Sequence, residues 1–325
     1  MNFIVNVTKK RQDMKHVLVT SLIMQRDLER FYTQLEDAGI EAMPYSVNQF
    51  LTEEDLLPII GQYDGVIAGD DQFTERVLMA GLPKLKVISK WGVGLDSIDV
   101  DAANRLGIKV YNSPGAFGKA VAEVAMGYVL MLSRKLHIID REVRKGNWPK
   151  PESEGLNGKI LGIVGFGAIG KETAKRALAF GMKVLATDIK MSEMKSLVGV
   201  SFTNIDEILK SADYLCLTCN LKPENQGMIG YSELERMKPT SYLINVARGV
   251  LVDEAALIEA LNKNLIAGAA LDVYKTEPLP PEHPFTKMKN IVLGSHNANN
   301  MRSANDYVSK NTVKNLIEGF KACNI

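Results

Sequence analysis

The chain has 325 residues, of which 46% are hydrophobic and 24% charged, a balance typical of a soluble globular protein with room for two domains. Its 39 basic and 38 acidic residues give a formal charge of +1, which provides no electrostatic basis for binding nucleic acid or an anionic membrane. The apolar start, residues 3–7, is too short for a secretion signal or a membrane span, so a cytoplasmic protein is expected.

The first third of the chain alternates short apolar strands with helical stretches. Residues 1–15 are predicted to be an appendage that carries a basic cluster. Helices are predicted at 27–38 and 53–62. Five strands are predicted, at residues 16–20, 41–45, 65–68, 86–89 and 109–111. This alternation predicts a small parallel α/β domain.

A long helical stretch begins at Phe117 and leads into a basic loop at residues 144–151. Its apolar side chains recur at helical spacing: Val121, Val124, Tyr128, Leu132, Leu136 and Ile139. The simplest interpretation of this stripe is a helix face buried in a core.

A glycine-rich turn follows the next apolar strand, residues 160–164, and opens a helix. Gly165 allows the tight turn, Gly167 lets the backbone approach a pyrophosphate, and Gly170 lets the helix pack closely on the strand. The helix begins with Ala168 and Ile169, whose free N–H groups would face the phosphates. The pattern predicts a dinucleotide site.

A second strand, residues 183–187, ends at Asp188. Its carboxylate can accept hydrogen bonds from both hydroxyls of an adenosine ribose and would repel a 2′-phosphate, so NAD is predicted over NADP. Lys190 is interpreted as a solvated loop residue. Further strands are predicted at 214–219, 242–246, 266–271 and 291–294, which completes a doubly wound six-stranded sheet, and a last helix at 303–322 follows it.

Cys216 and Cys219 form a CxxC motif within a predicted strand. Residues three apart in a strand point to opposite faces, and there is no second cysteine pair to complete a zinc site. The cysteines are therefore interpreted as reduced thiols, and no metal is predicted.

Arg248, Glu277 and His296 each follow a predicted strand of this second sheet. The crevice of an open α/β sheet lies beyond the carboxyl ends of its strands, so the three side chains are expected to converge there. Arginine suits a substrate carboxylate because its planar fork binds two oxygens. Histidine suits proton transfer, and a carboxylate beside it favours the charged imidazolium. The set therefore fits hydride transfer between a dinucleotide and a 2-oxo acid.

Five motifs together closely resemble the D-isomer-specific 2-hydroxyacid dehydrogenase family. The motifs are GVGLDSIDVDAA (92–103), NSPGA (112–116), GFGAIG (165–170), INVARGVLVDEAAL (244–257) and ALDVYKTEPLP (270–280). The resemblance implies that Arg248, Glu277 and His296 are catalytic in an enzyme interconverting a 2-oxo acid and its D-2-hydroxy acid.

The resemblance also assigns binding residues. Asp272 would contact the nicotinamide carboxamide, Asp253 would support the turn that carries Arg248, and Val246 and Ala247 would be further cofactor contacts. The backbone at Val93 and Gly94 would bind the substrate carboxylate, with Lys90 and Trp91 beside it.

Two Rossmann-like domains are implied: a smaller flavodoxin-like substrate domain at 1–116 plus 299–325, and an NAD-binding domain at 117–298. The family's region corresponding to the apolar stripe contributes to a homodimer, so a homodimer is expected here.

Two departures bear on the substrate. The segment Gly294 to Asn300 reads GSHNANN, without the Thr-Pro that usually precedes the family's histidine. Asp70 and Asp71 stand where the phosphoglycerate branch is expected to carry an arginine, and they would repel a phosphate. Glu277 argues against the formate dehydrogenase branch, which has an amide there. A phosphoglycerate-type dehydrogenase and an NADH-sensing binding protein related to the family's corepressors are the alternatives.

Overall fold

The computed structural model describes residues 14–193 and 197–323, so most of the predicted N-terminal appendage lies outside the described residues. The chain divides into two compact units. One contains residues 1–116 and 302–325, and the other is Phe117–Met301. Within the described ranges, no helix is both long and apolar enough to cross a membrane.

The first unit contains a parallel sheet of five strands in the order β2-β1-β3-β4-β5. The strands are β1 (Lys15–Val19), β2 (Ile40–Pro44), β3 (Gly65–Ala68), β4 (Val87–Lys90) and β5 (Lys109–Tyr111). Strands β3 and β4 are buried along their whole length, as expected for central strands covered on both faces. The strand order is that of a flavodoxin-like domain, which confirms the predicted fold.

The helices of this unit are α1 (Leu22–Asp27), α2 (Tyr32–Asp37), α3 (Glu53–Leu56), α4 (Glu75–Ala80), α5 (Val100–Arg105) and α12 (Arg302–Ala322). Short 3-10 helices lie at Leu28–Phe31 and Ile60–Gln62. Helix α12 packs on β4 and β5, where the Ser89 hydroxyl donates a 2.8 Å hydrogen bond to the Thr312 carbonyl. The helix predicted at 27–38 is instead divided, because the 3-10 turn at Leu28–Phe31 separates two α-helices.

The second unit contains a parallel sheet in the order β12-β11-β10-β9-β6-β7-β8. Its strands are β6 (Ile160–Val164), β7 (Lys183–Thr187), β8 (Val200–Phe202), β9 (Tyr214–Leu217), β10 (Tyr242–Asn245), β11 (Gly268–Leu271) and β12 (Ile291–Leu293). Among the described residues the sheet has seven strands, so the prediction of six was wrong. The missed strand, β8, has three residues and pairs only with β7, so its sequence carries too little alternation to reveal it.

The helices of this unit are α6 (Gly118–Ser133), α7 (Leu136–Val143), α8 (Ala168–Ala179), α9 (Ile205–Ser211), α10 (Tyr231–Arg236) and α11 (Glu254–Asn262). Four 3-10 helices lie at Met191–Glu193, Pro223–Asn225, Gly249–Leu251 and Pro284–Lys287. The long apolar stretch after Phe117 is two helices, because Lys135 adopts a left-handed conformation with φ of 54° between them.

Candidate functional site

The glycine-rich turn joins β6 to α8, and each glycine meets a different steric demand. Gly165 has φ of +95°, and a Cβ added to it would lie 2.4 Å from the Cα of Cys219. A Cβ on Gly170 would lie 2.3 Å from the Gly165 carbonyl oxygen, so the helix could not approach the turn with a larger residue there. No heavy atom lies within 4 Å of a Cβ added to Gly167. The backbone at Gly167 therefore faces open space, as a pyrophosphate requires.

The first turn of α8 leaves its amide groups available to an anion. Gly167 is the N-cap and supplies no side-chain hydrogen bond. Gly167 and Ala168 are exposed, and Ile169 is half-buried. Asp188, just past the end of β7, accepts a 2.7 Å hydrogen bond from the Phe166 amide within the same turn. These residues fit the phosphates and the adenosine ribose of a dinucleotide.

Arg248 follows β10, and the amide of Asn245 shapes the turn that carries it. Asn245 Nδ2 donates to the Arg248 carbonyl at 2.9 Å, and the Ala247 amide donates to Asn245 Oδ1 at 3.0 Å. Val246 and Ala247 are buried in this turn. The Asp253 carboxylate caps α11 by accepting from the amides of Ala255 and Ala256, and its support of the Arg248 turn stays a prediction.

Glu277 and His296 form a close pair beyond the ends of β11 and β12. Glu277 Oε2 lies 2.6 Å from His296 Nδ1, and both side chains are partly shielded from solvent. The other carboxylate oxygen, Oε1, accepts a 2.8 Å hydrogen bond from the Tyr274 amide. The carboxylate fixes the ring orientation, and a carboxylate in this position favours the imidazolium.

His296 adopts a left-handed backbone conformation with φ of 52°, which is uncommon for a residue with a side chain. Asp272 holds it there. The His296 amide donates to the Asp272 carbonyl at 2.6 Å, while the Asp272 carboxylate accepts from the Ala298 amide at 3.0 Å. Strained backbone of this kind persists only where surrounding bonds fix it, and it concentrates at functional sites.

Three buried polar residues of this region were missed by sequence reasoning: Tyr128, Asn245 and Tyr274. The Tyr128 hydroxyl donates to Asp272 Oδ1 at 3.1 Å. Burial and the nearby Asp272 carboxylate raise the pKa of both tyrosine hydroxyls well above the usual value, so both remain hydrogen-bond donors. In the sequence, Tyr128 is one position of an apolar stripe and gives no sign of a polar role. Asn245 is a polar residue in an otherwise apolar strand, and this is the one signal that could have pointed to a missed residue.

The amide-rich segment after His296 folds back on itself. The Asn297 and Ala298 amides donate to the Asp272 carboxylate, at 3.3 and 3.0 Å. Asn300 Nδ2 donates to Asn297 Oδ1 at 2.8 Å. Asp272 is only 2% exposed, so its carboxylate organises this loop, and its contact with a nicotinamide carboxamide stays a prediction.

The predicted substrate residues Lys90, Trp91, Val93 and Gly94 belong to the first unit. Lys90 is buried at the end of β4, and its ammonium group lies 2.5 Å from both the Gly69 carbonyl and Asp70 Oδ1. The Trp91 indole is buried and donates to the Ser309 hydroxyl at 3.0 Å.

The loop after Trp91 is braced by the segment that follows β5. Asn112 Nδ2 donates to the Val93 carbonyl at 2.6 Å, and the Ser113 amide donates to the Gly92 carbonyl at 2.8 Å. Val93 and Gly94 remain half-buried in this braced loop.

The two neighbouring aspartates after β3 have different environments. Asp71 is fully buried, and its carboxylate accepts from the Thr20 hydroxyl and from the Leu51 and Gly69 amides. Burial raises the pKa of Asp71. Asp70 is exposed but lies beside the Lys90 ammonium. The expectation that both aspartates would repel a phosphate therefore does not hold for Asp71, because its carboxylate is buried among hydrogen-bond donors, and the charge of Asp70 is offset by Lys90.

Cys216 is buried in β9, and burial raises the pKa of its thiol to about 12. Cys219 is half-buried beyond the strand end, and both thiols are free. Over residues 14–193 and 197–323, no group of three His, Cys, Asp or Glu side chains could hold a metal ion.

Comparison with known proteins agrees with this geometry. Residues 126–298 match the family model described as D-isomer specific 2-hydroxyacid dehydrogenase, NAD binding domain. The NAD-dependent formate dehydrogenase from Staphylococcus aureus, solved in complex with NAD, superimposes with a TM-score of 0.84 at 28% identity. That comparison covers 94% of this chain and 95% of the other.

Two other relatives are more similar to this chain in sequence than the formate dehydrogenase is. A glyoxylate reductase from Thermofilum pendens is 38% identical over 278 residues, which cover 83% of this chain and 82% of the relative. A D-3-phosphoglycerate dehydrogenase from Archaeoglobus fulgidus is 37% identical over 257 residues, covering 78% of this chain and 49% of the relative. Because the family model matches and the relatives are similar over most of the chain, this chain belongs to the D-isomer specific 2-hydroxyacid dehydrogenase family.

Proposed function

We propose that this enzyme reduces a small, unphosphorylated 2-oxo acid such as glyoxylate to the corresponding 2-hydroxy acid, which is the D-isomer where the product is chiral. Membership of the family makes the chain an NAD-dependent 2-hydroxyacid dehydrogenase. The observation that carries the proposal is the 2.6 Å contact between Glu277 Oε2 and His296 Nδ1, which provides an acid-base pair at the carboxyl edge of the dinucleotide sheet. The glyoxylate reductase name of the Thermofilum pendens relative supports the choice of substrate.

The proposed mechanism assigns one task to each polar group. Arg248 binds the substrate carboxylate through its planar guanidinium and polarises the adjacent carbonyl. When bound, NADH would supply the hydride that the carbonyl carbon receives. His296 donates the proton on Nε2 to the carbonyl oxygen, so the product is a hydroxyl group, and solvent returns the proton to the imidazole. Glu277 orients the imidazole and favours its protonated form at the start of each turnover.

In the proposed cofactor site, the amides of the α8 first turn and the Gly167 backbone hold the pyrophosphate, and Asp188 binds the ribose hydroxyls. The open space over Gly167 supports this assignment. In the first unit, the braced loop at Val93 and Gly94 is proposed to offer its amides to a carboxylate, and Trp91 is its buried neighbour.

The test is a substrate panel. NADH oxidation is followed with glyoxylate, pyruvate, hydroxypyruvate, phenylpyruvate, 2-oxoisocaproate and phosphohydroxypyruvate, and each reaction is repeated with NADPH. Glyoxylate or hydroxypyruvate is expected to give the highest kcat/KM.

If phosphohydroxypyruvate is preferred at least tenfold, the second candidate, a phosphoglycerate-type dehydrogenase, replaces the first. The Archaeoglobus fulgidus relative and the buried position of Asp71 favour that alternative. Tight NADH binding without turnover of any acid would identify an NADH-sensing protein.

Replacing Asp188 by Asn should move the cofactor preference toward NADPH. The amide keeps an acceptor for the Phe166 amide but removes the charge that repels a 2′-phosphate. The ratio of kcat/KM for NADPH to that for NADH should rise by about 10- to 100-fold at low salt. The Asp206→Asn variant, on the exposed side of α9, is the control for a simple change in net charge. An equal change of the ratio in both variants, or no change in either, would contradict the role of Asp188.

We further propose a homodimer formed through α7 and the loop after it. Leu136, Val143 and Trp148 are exposed in this short stretch, with the Trp148 side chain 78% exposed. A cluster of this kind is a candidate interface. The Leu136→Asp/Trp148→Asp double variant should elute as a monomer at micromolar concentration in light scattering, while wild type elutes as a dimer. A monomeric wild type would refute the proposal.

The cytoplasmic location stays a prediction that cell fractionation can test.

A further inference from the structure

Tyr274 lies three residues before Glu277 and is buried, yet no step of the proposed mechanism uses it. Its hydroxyl oxygen lies within hydrogen-bonding distance of two carbonyls at the ends of neighbouring strands, which share its single hydrogen. The oxygen lies 2.8 Å from the Gly294 carbonyl and 3.1 Å from the Leu271 carbonyl. A phenylalanine would fill the same volume, so the hydroxyl requires a separate explanation.

The hydroxyl extends the pairing of β11 and β12 beyond its last backbone contact. The register ends at Leu271 opposite Leu293, and the Gly294 amide donates to the Leu271 carbonyl at 2.7 Å. The next polar group along β12 is the Gly294 carbonyl, which Tyr274 binds. His296 follows two residues later. The hydroxyl therefore fixes the point from which the His296 loop leaves the sheet.

The backbone of Tyr274 contacts the other two polar residues of the site. Its amide donates to Glu277 Oε1, so Glu277 is held between Tyr274 and His296. Its carbonyl group lies against the turn of Arg248, because a Cβ on Gly249 would come within 1.9 Å of the Tyr274 carbonyl carbon. One residue thus touches the supports of Arg248, Glu277 and His296.

We propose that Tyr274 is a positioning residue that fixes the His296 loop relative to the Glu277 carboxylate. The inference rests on the proposed function. It adds a residue that touches neither substrate nor cofactor and acts through the geometry of the acid-base pair. Its hydroxyl holds the strand that leads to His296, and its amide holds Glu277.

The Tyr274→Phe variant tests the hydroxyl while leaving the backbone contacts in place. Loss of the hydrogen bond between the Tyr274 hydroxyl and the Gly294 carbonyl should lower kcat by about 5- to 20-fold, with KM for NADH within about twofold of wild type. If Glu277 and His296 are held less closely, the His296 imidazolium should release its proton more readily. The basic limb of the reduction pH profile should therefore move to lower pH.

The matched control is Tyr214→Phe. Tyr214 is buried in β9 of the same unit and stacks on Tyr242 with ring centroids 5.5 Å apart. Both variants lose one buried hydroxyl, so both should lower the Tm by a similar amount. Only Tyr274→Phe should change kcat and the pH profile. Equal kinetic effects in the two variants, or an unchanged profile in Tyr274→Phe, would overturn the proposal.

A histidine titration separates this inference from the proposed function. The chain has four histidines, so His296 can be assigned by NMR from the signal that the His296→Asn variant lacks. Tyr274→Phe should lower the titration midpoint of His296, and Tyr214→Phe should leave it unchanged. An unmoved midpoint overturns the positioning role even if wild type reduces no 2-oxo acid, whereas absence of wild-type turnover alone refutes only the proposed function.

Discussion

Replacing His296 by Asn should lower kcat for reduction of the best 2-oxo acid by about two to four orders of magnitude, as expected for loss of a general acid. Asparagine is the appropriate substitute because it tolerates the left-handed conformation that His296 adopts, at φ of 52°. The loop can therefore keep its shape while the proton donor is lost. NADH affinity, measured by fluorescence titration, should remain near the wild-type value because the glycine-rich turn is unchanged.

The companion variant Glu277→Gln separates the acid from its partner. The amide retains an acceptor for the Tyr274 amide but lacks the charge that favours the imidazolium. His296 would then lose its proton at lower pH. Because reduction requires the protonated ring, activity in that direction should decline at a lower pH than in wild type. Full turnover in His296→Asn, or an unmoved profile in Glu277→Gln, would contradict the proposed pair.

The local parts of the site were predictable because their signals are short-range. Gly165, Gly167 and Gly170 stand within six residues of one another in a single strand-turn-helix unit, so their spacing alone marks the turn, although the close neighbour of Gly165 is the distant Cys219. The parallel α/β class of the first unit followed from the alternation of helices and strands, whereas its flavodoxin-like architecture was implied by the family resemblance. Edge strand β8 was missed because three residues do not establish a period.

The supports of the site were not predictable, because they depend on contacts between distant segments. Tyr128 reaches Asp272 across 144 residues, and in sequence it is one more apolar position of a helical stripe. Asp70 and Asp71 are adjacent, yet it is the Asp71 carboxylate that accepts hydrogen bonds from the Thr20 hydroxyl and the Leu51 amide. No pattern in a single sequence distinguishes a carboxylate buried by remote segments from one that faces solvent.

The largest expected effect on substrate binding belongs to Arg248→Lys. The ammonium group keeps the charge but cannot bind both oxygens of a carboxylate in one plane. Arg248 also donates from Nη1 to the Ala247 carbonyl at 2.8 Å, so its fork is oriented by its own turn, which a lysine cannot reproduce. We expect kcat/KM for the 2-oxo acid to fall by about two to three orders of magnitude, with KM for NADH nearly unchanged.

Arg236→Lys is the matched control for this experiment. Arg236 lies on α10, where it pairs with Asp206 and Glu233 at the surface, and its replacement should leave kcat/KM within about twofold, because exposed ion pairs contribute little. Oxamate binding, measured with NADH present, isolates carboxylate recognition from chemistry. If Arg248→Lys binds oxamate as tightly as wild type but turns over slowly, Arg248 acts on the reacting carbonyl alone. If both binding and turnover remain at wild-type levels, the carboxylate is held by groups other than Arg248, and the assignment of Arg248 fails.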